Sequence, residues 1–110
     1  MSGAPVARGS GSADFTEAVL GIAESIPEGC VTTYGAIASR IGAGGPRQVG
    51  AVMAAVGGSV PWWRVVRADG SLPAPLTEEA RQEYLREETP LLPSGRVDLR
   101  RAFVDPGSAG

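Results

Sequence analysis

The chain has 110 residues, 43% of them hydrophobic, with a net charge of −2. That length suits one small domain with a modest core, and the composition excludes a disordered chain. No apolar run approaches the ~18–20 residues of a membrane helix; with no histidine and a single cysteine, Cys30, the chain lacks an internal disulfide, a Cys–His or Ser–His nucleophile system and the usual zinc ligands.

Residues 1–13 are rich in Gly, Ser and Ala, lack the apolar centre of a signal peptide, and read as a disordered tail. The unpaired cysteine fits a cytoplasmic protein. Asp14, with Glu17 three residues on, resembles a capping box and opens a first helix in which Phe15, Ala18, Val19, Ile22 and Ile26 form an apolar stripe. Pro27-Glu28-Gly29 ends it, and Cys30-Val31 make a short extended link. Thr33 caps a second helix from about Tyr34 to Ile41, with Ile37, Ala38 and Ile41 facing inward. After the turn Gly42-Ala43-Gly44-Gly45, Pro46 opens a third helix, where its missing N–H is not needed. That helix runs to about Val56 and stops at Gly57-Gly58. Helix, glycine-rich turn, helix is the helix-turn-helix pattern.

Val65 to Ala68 and Ser71-Leu72 flank Asp69-Gly70, a tight-turn signal, and predict a β-hairpin. Pro73 and Pro75 mark a loop. Thr77 caps a last helix reaching about Glu88, which Pro90 terminates. From Leu91 onward the chain reads as irregular, with Val97, Leu99 and Phe103 as anchors onto the core. The expected organisation is one mostly α domain over residues 14–105, followed by a second tail at 106–110.

The charge is unevenly placed. Between Gly29 and Ala68 there is no acidic residue and there are four arginines, Arg40, Arg47, Arg64 and Arg67; the acids lie from Asp14 to Glu28 before and mainly from Glu78 to Asp105 after. A basic middle with acidic flanks suits an anion-binding face, although chance clustering of four charges gives the same pattern.

On the third helix, Val49, Val52, Met53 and Val56 share one face and are expected in the core. The opposite face carries Arg47, Gly50, Ala51 and Ala54, with Gln48 to the side. A major-groove recognition helix offers Arg, Asn or Gln to base edges, and this face offers almost nothing long except Arg47. It suits close approach to a nucleic-acid backbone or a shallow groove. A helix packed on both sides by protein would look the same.

Two longer segments carry a family resemblance. Ile26-Pro27-Glu28-Gly29-Cys30-Val31-Thr32-Thr33-Tyr34-Gly35-Ala36-Ile37-Ala38 resembles the segment leading into the DNA-binding domain of O6-alkylguanine-DNA alkyltransferases. Pro46-Arg47-Gln48-Val49-Gly50-Ala51-Val52-Met53 resembles their recognition helix. Val60-Pro61-Trp62-Trp63-Arg64-Val65-Val66 falls where that family has its Pro-Cys-His-Arg motif. Here Trp62 stands at the cysteine position and Trp63 at the histidine position. Neither indole replaces a thiolate nucleophile or its base. The chain is thereby identified as similar to the alkyltransferase-like proteins, the branch with tryptophan at the cysteine position.

The resemblance implies a winged helix-turn-helix with a small β-hairpin wing. It would bind the minor groove of double-stranded DNA, rotate an O6-alkylguanine nucleotide into a pocket and flag it for nucleotide excision repair proteins, without catalysis, metal or cofactor. By the same pattern Arg47 is the finger that fills the vacated stack, and Tyr34 presses on the backbone near the target phosphate. The implied DNA-binding set is Tyr34, Arg47, Gln48, Gly50, Ala51 and Ala54. The implied lesion pocket is Pro61, Trp62, Trp63, Arg64 and Val65, with Arg64 supporting the site. A monomer associated with the nucleoid when bound to DNA is expected. The alternative is a winged-helix transcriptional regulator reading undamaged DNA. An adjacent Trp pair is also a common core anchor, and Cys30 is read as structural.

Overall fold

The computed structural model describes the backbone of residues 3–106 and the side chains of residues 13–106. Helix α1 spans Gly3–Ser25, so it starts ahead of the expected capping box at Asp14 and takes in most of the segment read as a tail. Extending an existing helix adds one hydrogen bond per residue without a new nucleation cost. Residues 107–110 of the second expected tail lie outside the described residues, and Pro106 is buried. On α1 the deepest side chains are Val19 and Ala23, with Ile26 just beyond its end, while Phe15 and Ile22 are partly buried beside them.

The chain then extends. Thr32–Thr33 forms strand β1. Helix α2 follows over Tyr34–Ile41, and the Thr33 Oγ1 accepts the Ala36 N–H at 3.0 Å as expected of its cap. Gly42 ends α2 in the left-handed conformation at φ 82°, which glycine reaches without a Cβ penalty. Helix α3 spans Pro46–Val56, the bounds the sequence predicts. Val49 and Met53 face the core, whereas Val56 is 46% exposed. It sits at the last position before the chain leaves the helix into a 3-10 turn over Gly57–Ser59, so no neighbouring element covers it.

After a second 3-10 turn at Trp62–Arg64, strand β2, Val65–Val66, pairs parallel with β1 in the register Thr32 to Val65 and Thr33 to Val66. The mostly helical winged architecture stands, but its small β element is built differently from a hairpin. The turn at Asp69-Gly70 is closed by the Arg67 N–H donating to the Ser71 carbonyl at 2.9 Å. No return strand follows, because Pro73 comes two residues later and cannot donate to a ladder. Gly70 instead packs backbone to backbone on Val97, whose N–H donates to the Gly70 carbonyl at 3.0 Å. Its φ is +84°, and a Cβ there would run into the Val97 carbonyl oxygen. Gly70→Ala should therefore cost about 2 kcal/mol or more, lowering the thermal midpoint by roughly 10 °C; a midpoint within 2–3 °C, roughly, of the parent would show that the contact yields.

Helix α4, Thr77–Glu87, continues directly from a 3-10 turn at Ala74–Leu76. Thr77 is therefore its first residue rather than its cap, and its hydroxyl points back to the Pro73 carbonyl at 3.5 Å. A short helix α5, Leu99–Ala102, is capped by the Asp98 side chain; four residues are too few to show a helical period in sequence. Val97 is buried as expected, but Phe103 is 41% exposed. The anchor at Phe103 is its backbone, bridged to Val31.

Two apolar clusters result. One lies among α1, α2 and α3, and the other joins Val31 and Val66 to Ala80 and Tyr84 of α4 and to Val97. Trp62 packs against both. Among the described residues no helix is long and apolar enough to cross a membrane.

Candidate nucleic-acid interface

Helix α3 owes its orientation to α2 and to its own first turn. Pro46 supplies the first position, and the Gln48 Oε1 accepts the Gly45 N–H at 2.9 Å. Gln48 is thus engaged in holding the helix start, with only its amide group left to reach outward. Arg47, Ala51 and Ala54 are exposed on the outer face. Arg47 forms no salt bridge among the described residues. Arg40 and Arg67 are also exposed, so the basic middle of the sequence does reach the surface.

Gly50 lies between the two faces of α3. A Cβ built on it would stand 3.9 Å from the Tyr34 ring, so Tyr34 leans over this helix at the position where α2 begins. Burial raises the Tyr34 pKa, and the nearby Arg67 cation opposes the shift. Its hydroxyl stays protonated at neutral pH and remains a hydrogen-bond donor.

A cavity of about 210 Å³ opens beside this helix, lined by Tyr34, Gly50, Met53, Ala54, Gly57, Gly58, Trp62, Leu72, Pro73 and Leu76. It brings together three residues of the expected DNA-binding set, Tyr34, Gly50 and Ala54, with Trp62 of the expected pocket. Pro61, Trp63, Arg64 and Val65 are not among its lining residues. Pro61 precedes the 3-10 turn, and Val65 is fully buried in the core. Leu72, Pro73 and Leu76 are wall residues that sequence reasoning missed, because a Pro-rich loop carries no periodic signal of what it covers.

Trp63 and Arg64 turn to a different task. The Trp63 indole N–H donates to the Glu87 Oε2 at 3.0 Å, and the Arg64 Nη2 donates to the same oxygen at 2.5 Å. The Arg64 Nε and the Gly29 N–H donate to the Glu87 Oε1 at 3.2 and 3.1 Å. Arg64 also donates to the Ile26 carbonyl at 2.9 Å. Its guanidinium lies 5.6 Å from the Trp63 ring centre, within cation–π range. The Glu87 side chain is fully buried and Arg64 only 11% exposed. Burial pushes the Glu87 carboxyl up, but the hydrogen bonds from Arg64, Gly29 and Trp63 and the Arg64 charge outweigh it and hold the pKa below its usual value.

This buried cluster fixes Trp63, and Trp63 in turn meets Trp62 edge to face, with ring centres 5.5 Å apart and planes at 84°. The Tyr84 hydroxyl donates to the Trp63 carbonyl at 2.6 Å and completes the clamp from α4. Burial, with the Tyr34 and Glu87 charges, keeps the Tyr84 pKa far above the usual tyrosine value. Glu87 was not visible as a site residue in the sequence; nothing distinguishes it from Glu88 beside it. Cys30 is free and half-buried, and it does not line the cavity. Among the described residues no cluster of three potential ligands is arranged for a metal ion.

A helix-turn-helix with a short β pair, an outer helix face of small residues and a cavity at its side defines a DNA-binding domain of the winged-helix class. Residues 14–89 match the family described as 6-O-methylguanine DNA methyltransferase, DNA binding domain. The chain belongs to that family, where it stands with the alkyltransferase-like proteins. It is 43% identical over 94 residues to the DNA base-flipping protein of Escherichia coli (strain K12), a match covering 79% of this chain and 71% of that protein. The DNA base-flipping protein of Shigella flexneri matches to the same extent. Among solved structures the fold is similar to S. pombe Atl1 in complex with damaged DNA containing O6-carboxymethylguanine, with a TM-score of 0.73 and 24% identity, covering 83% of this chain and 94% of that one.

Proposed function

We propose that this protein is a non-enzymatic sensor of O6-alkylguanine. It binds the minor groove, rotates the damaged nucleotide out of the duplex into the cavity beside Trp62, and flags the site for nucleotide excision repair. The observation that carries this reading is the composition of the cavity wall. Tyr34, Gly50 and Ala54 of the expected interface share one cavity with Trp62, the residue that the sequence resemblance aligns with the family's nucleophile. Base flipping costs a few kcal/mol, least at damaged pairs, and a preformed cavity next to a smooth helix face lowers the barrier to capture. The relatives named for base flipping support the same reading. A regulator reading intact operators would need base-reading side chains where α3 presents Ala51 and Ala54.

The test uses one duplex with and without a single O6-methylguanine carrying a labelled methyl group. Tighter binding to the damaged duplex with no label reaching the protein is the expected result. Equal affinity for both duplexes, or stoichiometric label on the protein, overturns it.

Arg47 is expected to act as the finger that fills the vacated stack. It is exposed and without an ion-pair partner among the described residues, so Arg47→Ala should leave folding unchanged. A planar cation inserted in the stack is worth about 2 kcal/mol when desolvated. Its loss should weaken binding to lesion DNA roughly 30-fold and erase much of the preference over undamaged DNA. Equal weakening on both duplexes, with a flatter salt dependence, would make Arg47 an ordinary phosphate ligand.

A further inference from the structure

The cavity has a chemical character that the proposed function does not use. None of its lining residues is charged; Met53, Leu72, Pro73 and Leu76 form its walls, and the only polar side-chain groups are the Tyr34 hydroxyl and the Trp62 indole N–H. Arg64, beside the tryptophan pair, is neutralised by the buried Glu87 carboxylate. Arg67 is close enough to act on Tyr34, but it is exposed to water and is not part of the wall.

We propose that this cavity selects uncharged O6 substituents and discriminates against anionic ones, with Leu72 and Leu76 as the specificity-determining residues. The proposal rests on the reading of the cavity as the lesion pocket. A neutral alkyl group brought in from water gains apolar contact with Met53, Leu72 and Leu76. A carboxylate entering the same space loses hydration and meets no cation in the wall, and a buried charge without a direct partner is strongly disfavoured. The Tyr34 hydroxyl and the Trp62 indole N–H are neutral donors, and together they do not replace the hydration shell of an anion. The carboxymethyl adduct, present in the DNA bound to S. pombe Atl1, is therefore the lesion this chain should bind least well.

The experiment measures binding to four duplexes that differ only at one base: guanine, O6-methylguanine, O6-propylguanine and O6-carboxymethylguanine. Propyl and carboxymethyl are close in size, so their ratio isolates charge. The full-length protein should bind the propyl duplex at least about tenfold more tightly than the carboxymethyl duplex, one factor of ten being 1.4 kcal/mol. Leu76→Arg, at a rim position already 37% exposed, should shift that ratio about tenfold towards carboxymethyl. Reading the ratio cancels any general gain in DNA affinity from the added charge. Equal affinity for propyl and carboxymethyl, with both preferred over guanine, would overturn the selectivity and leave the sensor reading intact. Failure to prefer any adduct over guanine would overturn both. An unchanged ratio in a folded Leu76→Arg protein would also overturn the proposal, because the wall would then not be what selects.

Discussion

Glu87→Ala should destabilise the domain by about 3–5 kcal/mol, enough to unfold much of a small domain. The carboxylate is fully buried and takes hydrogen bonds from Arg64, Trp63 and the Gly29 N–H. Removing it leaves a nearly buried guanidinium with only the exposed Glu28 carboxylate, 3.9 Å away, as counter-charge, and an indole N–H without an acceptor. Glu87→Gln should cost less, since one amide oxygen still accepts but the charge is gone. Acid has a related effect. The folded carboxyl titrates below its usual value of 4.5, so the folded state binds fewer protons than the unfolded one. Its stabilisation is complete above the unfolded value and is lost as the pH falls through the lowered folded value. Urea midpoints measured from about pH 7 to about pH 3 should fall steeply at the acid end for the parent protein and more gently for Glu87→Gln. Parallel curves would mean that Glu87 is not the titrating support.

Trp62→Ala should remove up to about two powers of ten in affinity for lesion DNA, since stacking on an aromatic ring is worth ~1–3 kcal/mol per base. The ring is half-buried, with one side on both core clusters and another on the cavity. Truncation should therefore cost stability as well, but less than the ~3–5 kcal/mol of a fully buried tryptophan. Folding and binding must be measured together. A folded Trp62→Ala protein that keeps its full lesion preference would place the flipped base elsewhere. Quenching of tryptophan fluorescence by the extruded base gives a second readout. It is best taken with both tryptophans present, because Trp63→Phe would deprive Glu87 of one of its donors.

Helices α2 and α3 were legible to the residue because their boundaries are chemical. Thr33 caps, Gly42 turns left-handed, Pro46 starts and Gly57 stops, and each acts within one turn of chain. The pocket was only half legible. The order Trp62-Trp63-Arg64 marks the segment, but the 3-10 turn sends these consecutive side chains to two different places. Trp62 enters the cavity while Trp63 and Arg64 turn to α4. What they meet there is 24 residues away from Trp63 in sequence, and no local pattern announces a contact of that range. The hairpin failed for a similar reason: Asp69-Gly70 does make a turn, but the partner of β2 is β1, whose residues lie more than thirty positions earlier.

The hydrogen bond from the Trp63 indole to Glu87 also bears on how hard it would be to build reactivity into this turn. An indole has a single N–H and no acceptor nitrogen, and here that N–H is already committed. Changing Trp62 to cysteine would place a thiol beside a ring that cannot take its proton, and an unassisted thiol is a poor nucleophile at neutral pH. Changing Trp63 to histidine alone would supply a base with nothing to activate. Neither single change supplies an activated nucleophile, and the first also removes a ring that walls the cavity. Any thiol chemistry at this turn would need both tryptophans replaced at once and Glu87 given a new donor in place of the Trp63 indole.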